Sequence, residues 1–203
     1  MYARIAFFEG GDATTAETVR RLAKEQFLPR LKSFPGFAGV IDLGQPEAGK
    51  GVSIVLFDSK EDLENGDREL NAMNPPPELS NIRRTAVEKY EVVMQELHDA
   101  AAARVSRLEG SPETIDEGIR VAEESIFPQA RQIEGFQGVL SLVDRTSGRT
   151  MIVTFWESKD AMQRSEEQAD RLRAQAAEAG RETITSVERY EVATLEVPAG
   201  IRR

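Results

Sequence analysis

Hydrophobic and polar residues follow an order along the chain that occurs twice. A short alternating run, typical of a half-buried strand, precedes a long stretch with helical spacing. Two alternating runs separated by glycine, proline and acidic residues then predict a hairpin, and a second helix and a last strand follow. In the first half these are a strand at 3–9, a helix that ends before Gly36, strands at 37–43 and 52–57, a helix at 59–72 and a strand around Tyr90.

The second half repeats this order about one hundred residues later. TAVEKYEV at 85–92 returns as TSVERYEV at 185–192, with six of the eight letters unchanged, and FDSK at 57–60 returns as WESK at 156–159. Such self-similarity marks a duplicated module. We therefore predict two ferredoxin-like β-α-β-β-α-β repeats, at residues 1–97 and 103–203, with a join at 98–102.

The third strand of each repeat carries apolar residues on both faces. In the first repeat they are Val52, Ile54 and Leu56 against Val55 and Phe57, and in the second Met151, Val153 and Phe155 against Ile152 and Trp156. Leaving five or six such side chains in water would forfeit roughly 10 kcal/mol, which is comparable with the stability of a whole domain. A second layer must cover that face. We predict an α+β protein in which the two repeats cover each other, as an intramolecular dimeric α+β barrel.

The amino-acid composition excludes some kinds of binding partner and indicates where in the cell the protein is located. The 26 basic and 35 acidic side chains give a net charge of −9, which disfavours nucleic acid and anionic lipid as partners. The sequence contains no cysteine and no apolar run long enough to span a membrane. It opens with MYARIAFFEGGDATT, which meets acid and glycine too early for a signal peptide. We expect a cytoplasmic protein.

Several short motifs resemble one known family. These are a proline late in the first helix of each repeat (Pro29, Pro128), PGF before the second strand, FWES at the end of the third and ERYEV in the last. They resemble the antibiotic biosynthesis monooxygenase superfamily of dimeric α+β barrels, here as two fused copies. The resemblance implies an apolar pocket in each half, between the sheet and its helices.

The resemblance also suggests which reactions the protein could catalyse. Family members oxidise aromatic polyketides or quinols without metal or flavin, or bind and degrade haem. The haem-degrading branch uses an Asn on the first strand, a Trp at the end of the third strand and a His on the second helix. Only Trp156 matches, because Arg104 or a close neighbour stands in place of the Asn and the helix from Ser158 to Ala179 contains no His. We therefore expect no cofactor and no metal, with haem as a minor alternative.

Candidate substrate-binding residues lie at matching positions of the two repeats. Trp156, the sole tryptophan, could stack on a flat ligand or could fill the core, and Phe57 is its counterpart. Thr154 replaces Val55 and Ser106 replaces Ala6, so the second pocket is predicted to be the more polar one, and we choose it if only one pocket works.

Arginines and tyrosines supply the candidate catalytic groups. Arg4 and Arg104 on the first strands could hold an anionic oxygen, or could instead form edge ion pairs. Tyr90 and Tyr190 could stabilise an oxyanion, or could pack and bond to the backbone. We assign Arg104, Tyr190 and Ser106 to catalysis, and predict substrate contacts from a second set: Trp156, Thr154, Arg4, Phe57 and Tyr90. No general base is predicted in the pocket.

Other features have structural explanations. The lone His98 lies in the join, GQPEAGKG at 44–51 connects two strands and lacks the Ser or Thr of a phosphate-binding loop, and RSEEQADRLR at 164–173 is predicted to be a solvated helix face.

Three hypotheses follow for the function. The first is a monooxygenase-like oxidoreductase that acts on a small aromatic or quinol-type molecule, the second a non-catalytic small-molecule-binding protein, and the third a chain whose pockets are filled by its own side chains. A cavity of about 300 Å³ or more lined by Trp156 and Arg104 would favour the first two. Association of the fused chain into a further homodimer stays open.

Overall fold

The computed structural model describes residues 1–197 and 200–202, so the predicted end of the second repeat at residue 203 lies outside the described residues. The chain forms two compact units. Unit one consists of residues 1–90 and 192–197, and unit two of residues 91–191 and 200–202. The last strand of each repeat divides between the units, so the repeat boundaries at 97 and 103 stay a prediction. No helix among the described residues is long and apolar enough to cross a membrane.

Unit one contains the predicted order of strands and helices. Its elements are β1 (Tyr2–Glu9), α1 (Ala13–Leu22), α2 (Leu28–Leu31), β2 (Phe37–Gln45), β3 (Lys50–Phe57), α3 (Lys60–Ala72) and the first eight residues of β4 (Arg83–Leu97). β3 pairs antiparallel with both β1 and β2, and β1 pairs in addition with β4. This is the β-α-β-β-α-β arrangement that the sequence predicts.

Unit two has the same order. Its elements are β5 (Ala102–Glu109), α4 (Ile115–Val121), α5 (Phe127–Ala130), β6 (Phe136–Asp144), β7 (Arg149–Trp156), α6 (Lys159–Arg164), α7 (Glu166–Gly180), residues 183–191 of β8 (Thr183–Glu196) and the short β9 (Gly200–Arg202). β7 pairs with β5 and β6, and β5 pairs with β8. The mixed α+β ferredoxin-like fold is confirmed in both units.

A proline shapes the first helical stretch of each unit in the same way. Five residues in π-helical conformation, Ala23–Phe27 and Ala122–Ile126, come just before Pro29 and Pro128. Because proline has no N–H and its ring clashes with the preceding turn, the regular helix cannot continue through it. The helix widens by one residue at this turn, and the N–H of Leu28 donates to the carbonyl of Ala23, five residues earlier.

The second helical stretch of unit two differs from the prediction of one helix from Ser158 to Ala179. It divides at Ser165, whose Oγ donates to the carbonyl oxygen of Met162 over 2.7 Å. A hydroxyl that bonds back to the preceding turn competes with the helical hydrogen bonds and often bends a helix. The break sets the direction in which α7 leaves this point.

The register of unit two fixes which side chains share a face. Ala102, Arg104, Ser106 and Leu108 of β5 lie opposite Trp156, Thr154, Ile152 and Thr150 of β7. Directly paired residues of an antiparallel ladder project to the same side, and alternate residues project to opposite sides. These eight residues therefore form one face, and Met151, Val153 and Phe155, all fully buried, belong to the other. The predicted burial of both faces of this strand is confirmed.

Candidate functional site

A cavity of about 90 Å³ lies inside unit two, between this sheet face and the helices. The strands contribute most of its polar side chains, and two charged ones come from α7 and the residues just after it, Arg173 and Glu182. The helices contribute a wall that is mostly apolar, formed by Ile115, Ile119, Ala122, Ile126, Phe127, Ala130, Ala169, Leu172 and Ala176. Trp156 and Arg104 line it as expected, but the volume does not reach the roughly 300 Å³ that would favour the two ligand-binding hypotheses over a chain whose pockets are filled by its own side chains. The cavity is therefore suited to a compact molecule.

Trp156 closes one end of the cavity, as the sequence predicted for a pocket wall. Its ring is 1% exposed, meets Phe136 edge to face at a centroid distance of 5.7 Å, and donates its Nε1–H to Oγ1 of Thr154 over 3.2 Å. Thr154 lines the cavity as well. The bulky indole is held in one orientation by a ring contact and a hydrogen bond, so the end wall is rigid.

Arg104 lies beside Trp156 and lines the same end. Its Cζ is 5.2 Å from the centroid of the indole ring, which places a cation over an aromatic face. Its Nη2 donates to the carbonyl of Met162 (2.7 Å), to Oγ of Ser165 (3.3 Å) and to Oε2 of Glu166 (3.0 Å). Burial lowers the pKa of Arg104 and Glu166 raises it in part, but an arginine stays charged throughout the physiological range.

Two nitrogen atoms of Arg104 have no hydrogen-bond partner. In the part of the chain that the structure describes, the buried side-chain nitrogen and oxygen atoms without a partner are Nε and Nη1 of Arg104 and the two amide atoms of Gln95. An unpaired buried donor costs about 1–3 kcal/mol, so such groups are rare in folded proteins. The unpaired N–H groups of Arg104 have no existing bond to break, but they are covered by protein atoms, so the guanidinium must shift towards the cavity before they can donate to an anionic oxygen of a ligand.

Arg173 lines the middle of the cavity and was missed by the sequence analysis. The prediction that 164–173 is a solvated helix face is wrong for this residue, whose side chain is only 12% exposed. Its Nε donates to Oγ of Ser106 over 3.1 Å, and Nη1 pairs with Asp170. Ser106, predicted as catalytic, is thus brought into the cavity wall with its hydroxyl proton available to a ligand.

Glu182 lines the far end of the cavity and supplies the acidic group that the sequence analysis did not find. Its Oε1 accepts a hydrogen bond from Oγ1 of Thr150. Burial raises the pKa of Glu182, and the Thr150 hydroxyl offsets this in part. The available signal was a difference between the repeats, because Ile82 and Gly51 occupy the positions that match Glu182 and Thr150.

The prediction that Tyr190 reaches the pocket is wrong. Tyr190 lies opposite Ala103 in the β5–β8 ladder, so its ring projects from the face that does not line the cavity. Its hydroxyl donates to Oε2 of Glu188 over 3.2 Å. Burial and the charge of Glu188 raise the pKa of Tyr190. The phenol is a packed structural group.

The matching positions of unit one are filled or paired. Phe57, predicted to contact substrate, is fully buried in a cluster with Leu63 and packs so close to Gly66 that a Cβ there would lie 2.3 Å from Cζ of the ring. Ser165 is the counterpart of Gly66 in unit two. The predicted ligand contact of Phe57 is therefore corrected to a core contact.

Arg4 and Tyr90 likewise have partners within the protein. Arg4 donates from Nε to Asp67 (2.7 Å) and from Nη2 to Asn71 (3.0 Å), and the hydroxyl of Tyr90 donates to Glu88 (2.7 Å). Their predicted substrate contacts are corrected to an ion pair and a hydrogen bond. Arg4 matches Arg104 in the sequence, so the two units place the same residue type in different surroundings.

The residues that line the cavity do not fit haem, the cofactor of one branch of the resembling family. The lining residues include no His, Cys, Tyr or Met to hold the iron, and about 90 Å³ is far too small for the macrocycle. His98 is exposed in the connector, where its backbone N–H donates to the carbonyl of Gln137.

Comparisons with known proteins support the fold. No family model matches the chain. The uncharacterised protein Rv2557 of Mycobacterium tuberculosis H37Rv is 27% identical over 181 residues, which cover 86% of this chain and 81% of the relative. Among solved structures, an anthrone oxidase-like protein matches with a TM-score of 0.65 at 14% identity, over 99% of this chain and 92% of that one.

A second solved structure is described as related to the family that the motifs resemble. A ferredoxin-fold protein from Listeria monocytogenes 4b F2365, described as related to antibiotic biosynthesis monooxygenases, matches with a TM-score of 0.54 at 10% identity over 95% of each chain. At these identities the likeness concerns the fold alone. This chain has the α+β ferredoxin-like fold of proteins related to the antibiotic biosynthesis monooxygenases.

Proposed function

We propose that this protein is a monooxygenase-like oxidoreductase that binds a small aromatic, quinol-type molecule in the cavity of unit two and oxidises it with molecular oxygen, without a cofactor. The observation that carries the proposal is Arg104, a buried cation with two unpaired nitrogen atoms beside the Trp156 ring. We also propose that the chain is a tandem-repeat member of the superfamily that its motifs resemble, and that it acts in the cytoplasm.

Binding follows from the two walls of the cavity. The helical wall excludes water and favours an apolar ring, and Trp156 offers an aromatic end wall. The small volume favours a single-ring quinol over a polyketide with several fused rings. An oxygen substituent of the bound ring would take the free N–H groups of Arg104, with Ser106 as a second donor.

The chemistry needs no other reductant. A quinol supplies two electrons from its hydroxyl groups and two from the ring C–H bond that is oxidised. The four electrons reduce one O₂, so that one oxygen atom enters the ring to give a hydroxyquinone and the other leaves as water. The demanding step is formation of the electron-rich phenolate. A fixed guanidinium in a dry site stabilises that oxyanion and lowers the cost of forming it.

Oxygen uptake with a panel of single-ring quinols, naphthoquinols and anthrones tests this proposal. Rates are taken above those of heat-denatured protein, because quinols oxidise slowly by themselves. We expect one O₂ per substrate and one atom of labelled oxygen in the product. Arg104→Met should reduce kcat/KM by about 10²-fold. Arg4→Met, at the matched position of unit one, should leave it unchanged.

Two results would refute the enzymatic proposal. Binding without uptake for every compound would leave the non-catalytic small-molecule-binding protein as the function, because the same cavity and the same arginine serve both. Equal rates for the wild type and Arg104→Met would show that the guanidinium does not contribute to catalysis.

A further inference from the structure

We infer that Glu182 is the proton acceptor of the site, taking the acidic proton of a conjugated ligand whose opposite end is held by Arg104. This inference deepens the proposed function and rests on it. The carboxylate is placed by three separate elements, stands at the opposite end of the cavity from Arg104, and has no counterpart in unit one.

Two glycines make room for the Glu182 side chain. A Cβ at Gly110 would lie 2.8 Å from Cγ of Glu182, and a Cβ at Gly180 would lie 2.9 Å from its Oε2. Gly110 follows β5, and Gly180 ends α7. Both positions must lack a side chain for the carboxylate to occupy this place.

Thr150 then fixes the orientation of the carboxylate. Its hydroxyl donates to Oε1 of Glu182, and Thr150 is itself buried on the cavity face of β7. A carboxylate oxygen has further lone pairs, so Glu182 keeps the capacity to accept a proton from a ligand. The Thr–Glu pair occurs only in the second repeat, since Gly51 and Ile82 replace it in the first.

The electrostatics of the site suit proton transfer. Burial raises the pKa of Glu182, which makes its ionised form a stronger base than an exposed glutamate. Two charged side chains besides Glu182 line the cavity, Arg104 and Arg173. Arg173 is paired with Asp170 and Ser106, which leaves the unpaired nitrogens of Arg104 to receive the negative charge that forms on a ligand.

The two ends are separated along β5. Arg104 pairs with Thr154, and Leu108, four residues and about 13 Å of strand later, pairs with Thr150 at the Glu182 end. A para-substituted ring connects such ends electronically. When the O–H bond at the Glu182 end breaks, the proton goes to the carboxylate and the electron pair stays on the ligand. In a ligand with a para nitro or carbonyl group, resonance places negative charge on the oxygen at the Arg104 end. In a quinol the charge stays on the deprotonated oxygen and the ring, while Arg104 holds the second hydroxyl oxygen and stabilises the anion through its positive charge. No oxidant enters this step.

4-Nitrophenol is a suitable probe, because it has one ring, acidic and oxygen-bearing ends in the para positions, and a coloured phenolate that oxygen does not oxidise. At a pH below the pKa of the free probe, binding to wild-type protein should produce the phenolate colour with no proton released to the buffer. Proton release is measured by calorimetry in buffers of different ionisation enthalpy. In Glu182→Gln, any phenolate that forms must release one proton per probe bound.

The control is Glu178→Gln, which removes an exposed carboxylate of α7 and should behave as the wild type. A second variant, Thr150→Val, removes the hydrogen bond that offsets the raised pKa of Glu182. It should move the onset of proton transfer to higher pH, and it keeps the inference testable if Glu182→Gln does not fold.

Three results would overturn the inference: no binding of 4-nitrophenol, one proton released by the wild type for each phenolate formed, or equal behaviour of Glu182→Gln and the wild type. If no quinol causes oxygen uptake, the proposed oxidation is refuted, but the inference that Glu182 accepts a proton from the ligand is not affected. Where uptake is found, kcat should rise with pH through the raised pKa of Glu182, and Glu182→Gln should lower it about 10²-fold and remove this dependence.

Discussion

Replacing Arg104 by Met should separate stability from function. The variant keeps the apolar stem and loses three hydrogen bonds from Nη2, which at about 1 kcal/mol each amount to about 3 kcal/mol. It also removes Nε and Nη1, two buried atoms without partners, which together cost about 4 kcal/mol in the wild type. We expect the free energy of unfolding to stay unchanged or to rise by about 1 kcal/mol.

The former partners of Arg104 do not become unpaired. Glu166 keeps its ion pair with Arg189, and the carbonyl of Met162 still accepts from Oγ of Ser165. This matters because removing one member of a buried pair is strongly destabilising mainly when it leaves a charge alone. The matched variant Arg4→Met loses its bonds to Asp67 and Asn71 and relieves no unpaired atom, so it should lower stability by about 2–3 kcal/mol.

Urea unfolding followed by far-ultraviolet circular dichroism measures both variants on one scale, through the midpoint and the slope. Tryptophan fluorescence is unsuitable here, because Arg104 touches the only tryptophan. The same preparations are then tested for 4-nitrophenol binding, which Arg104→Met should weaken and Arg4→Met should not. If Arg104→Met destabilises the protein as much as Arg4→Met, the guanidinium is a structural group and the argument from its unpaired nitrogens fails.

Three further substitutions test the packing of unit one, the stacking of a ligand on Trp156 and the lowered pKa of Asp144. Gly66→Ala forces a methyl group onto Phe57 and should destabilise the chain by about 1–3 kcal/mol in urea despite alanine's better helix propensity; no loss would show that unit one has space at this position. Trp156→Phe should weaken 4-nitrophenol binding about 2–10-fold by equilibrium dialysis, and unchanged affinity would contradict stacking. Burial raises the pKa of Asp144, but hydrogen bonds from its own turn and from Arg149 outweigh burial and lower this pKa from 3.8 to about 2. The ionised carboxylate therefore stabilises the fold above pH 3.8, and this stabilisation is lost as the pH falls towards 2. Asp144→Asn should therefore cost about 2 kcal/mol at neutral pH, with a deficit that closes in acid, and a deficit independent of pH would refute the assignment.

The fold was predictable because its signals are local and occur twice. The repeated letters fix the order of elements, and the apolar residues on both sides of the third strand report burial on two faces. The same two-residue period places Arg104 and Ser106 on one face of β5, so half of the site followed from the sequence.

The other residues of the site could not be predicted, because their orientation depends on contacts between parts of the chain that are far apart in sequence. Whether Tyr190 faces the cavity is decided by its pairing with Ala103, in a ladder whose register shifts between Arg107 and Leu108. Arg173 points inward on a helix that starts anew after the break at Ser165. Glu182 becomes a cavity residue through the absence of side chains at two glycines far apart in sequence, an effect of packing rather than of pattern.

The contrast between Phe57 on Gly66 and the open space beside Trp156 has a consequence for measurement. If the cavity beside Trp156 takes a ligand and the packed position of Phe57 takes none, binding at these two matched positions should saturate at one ligand per molecule, along a simple hyperbola. The residues around Phe57 then serve packing alone, so substitutions there should be tolerated as long as the volume of the core is conserved.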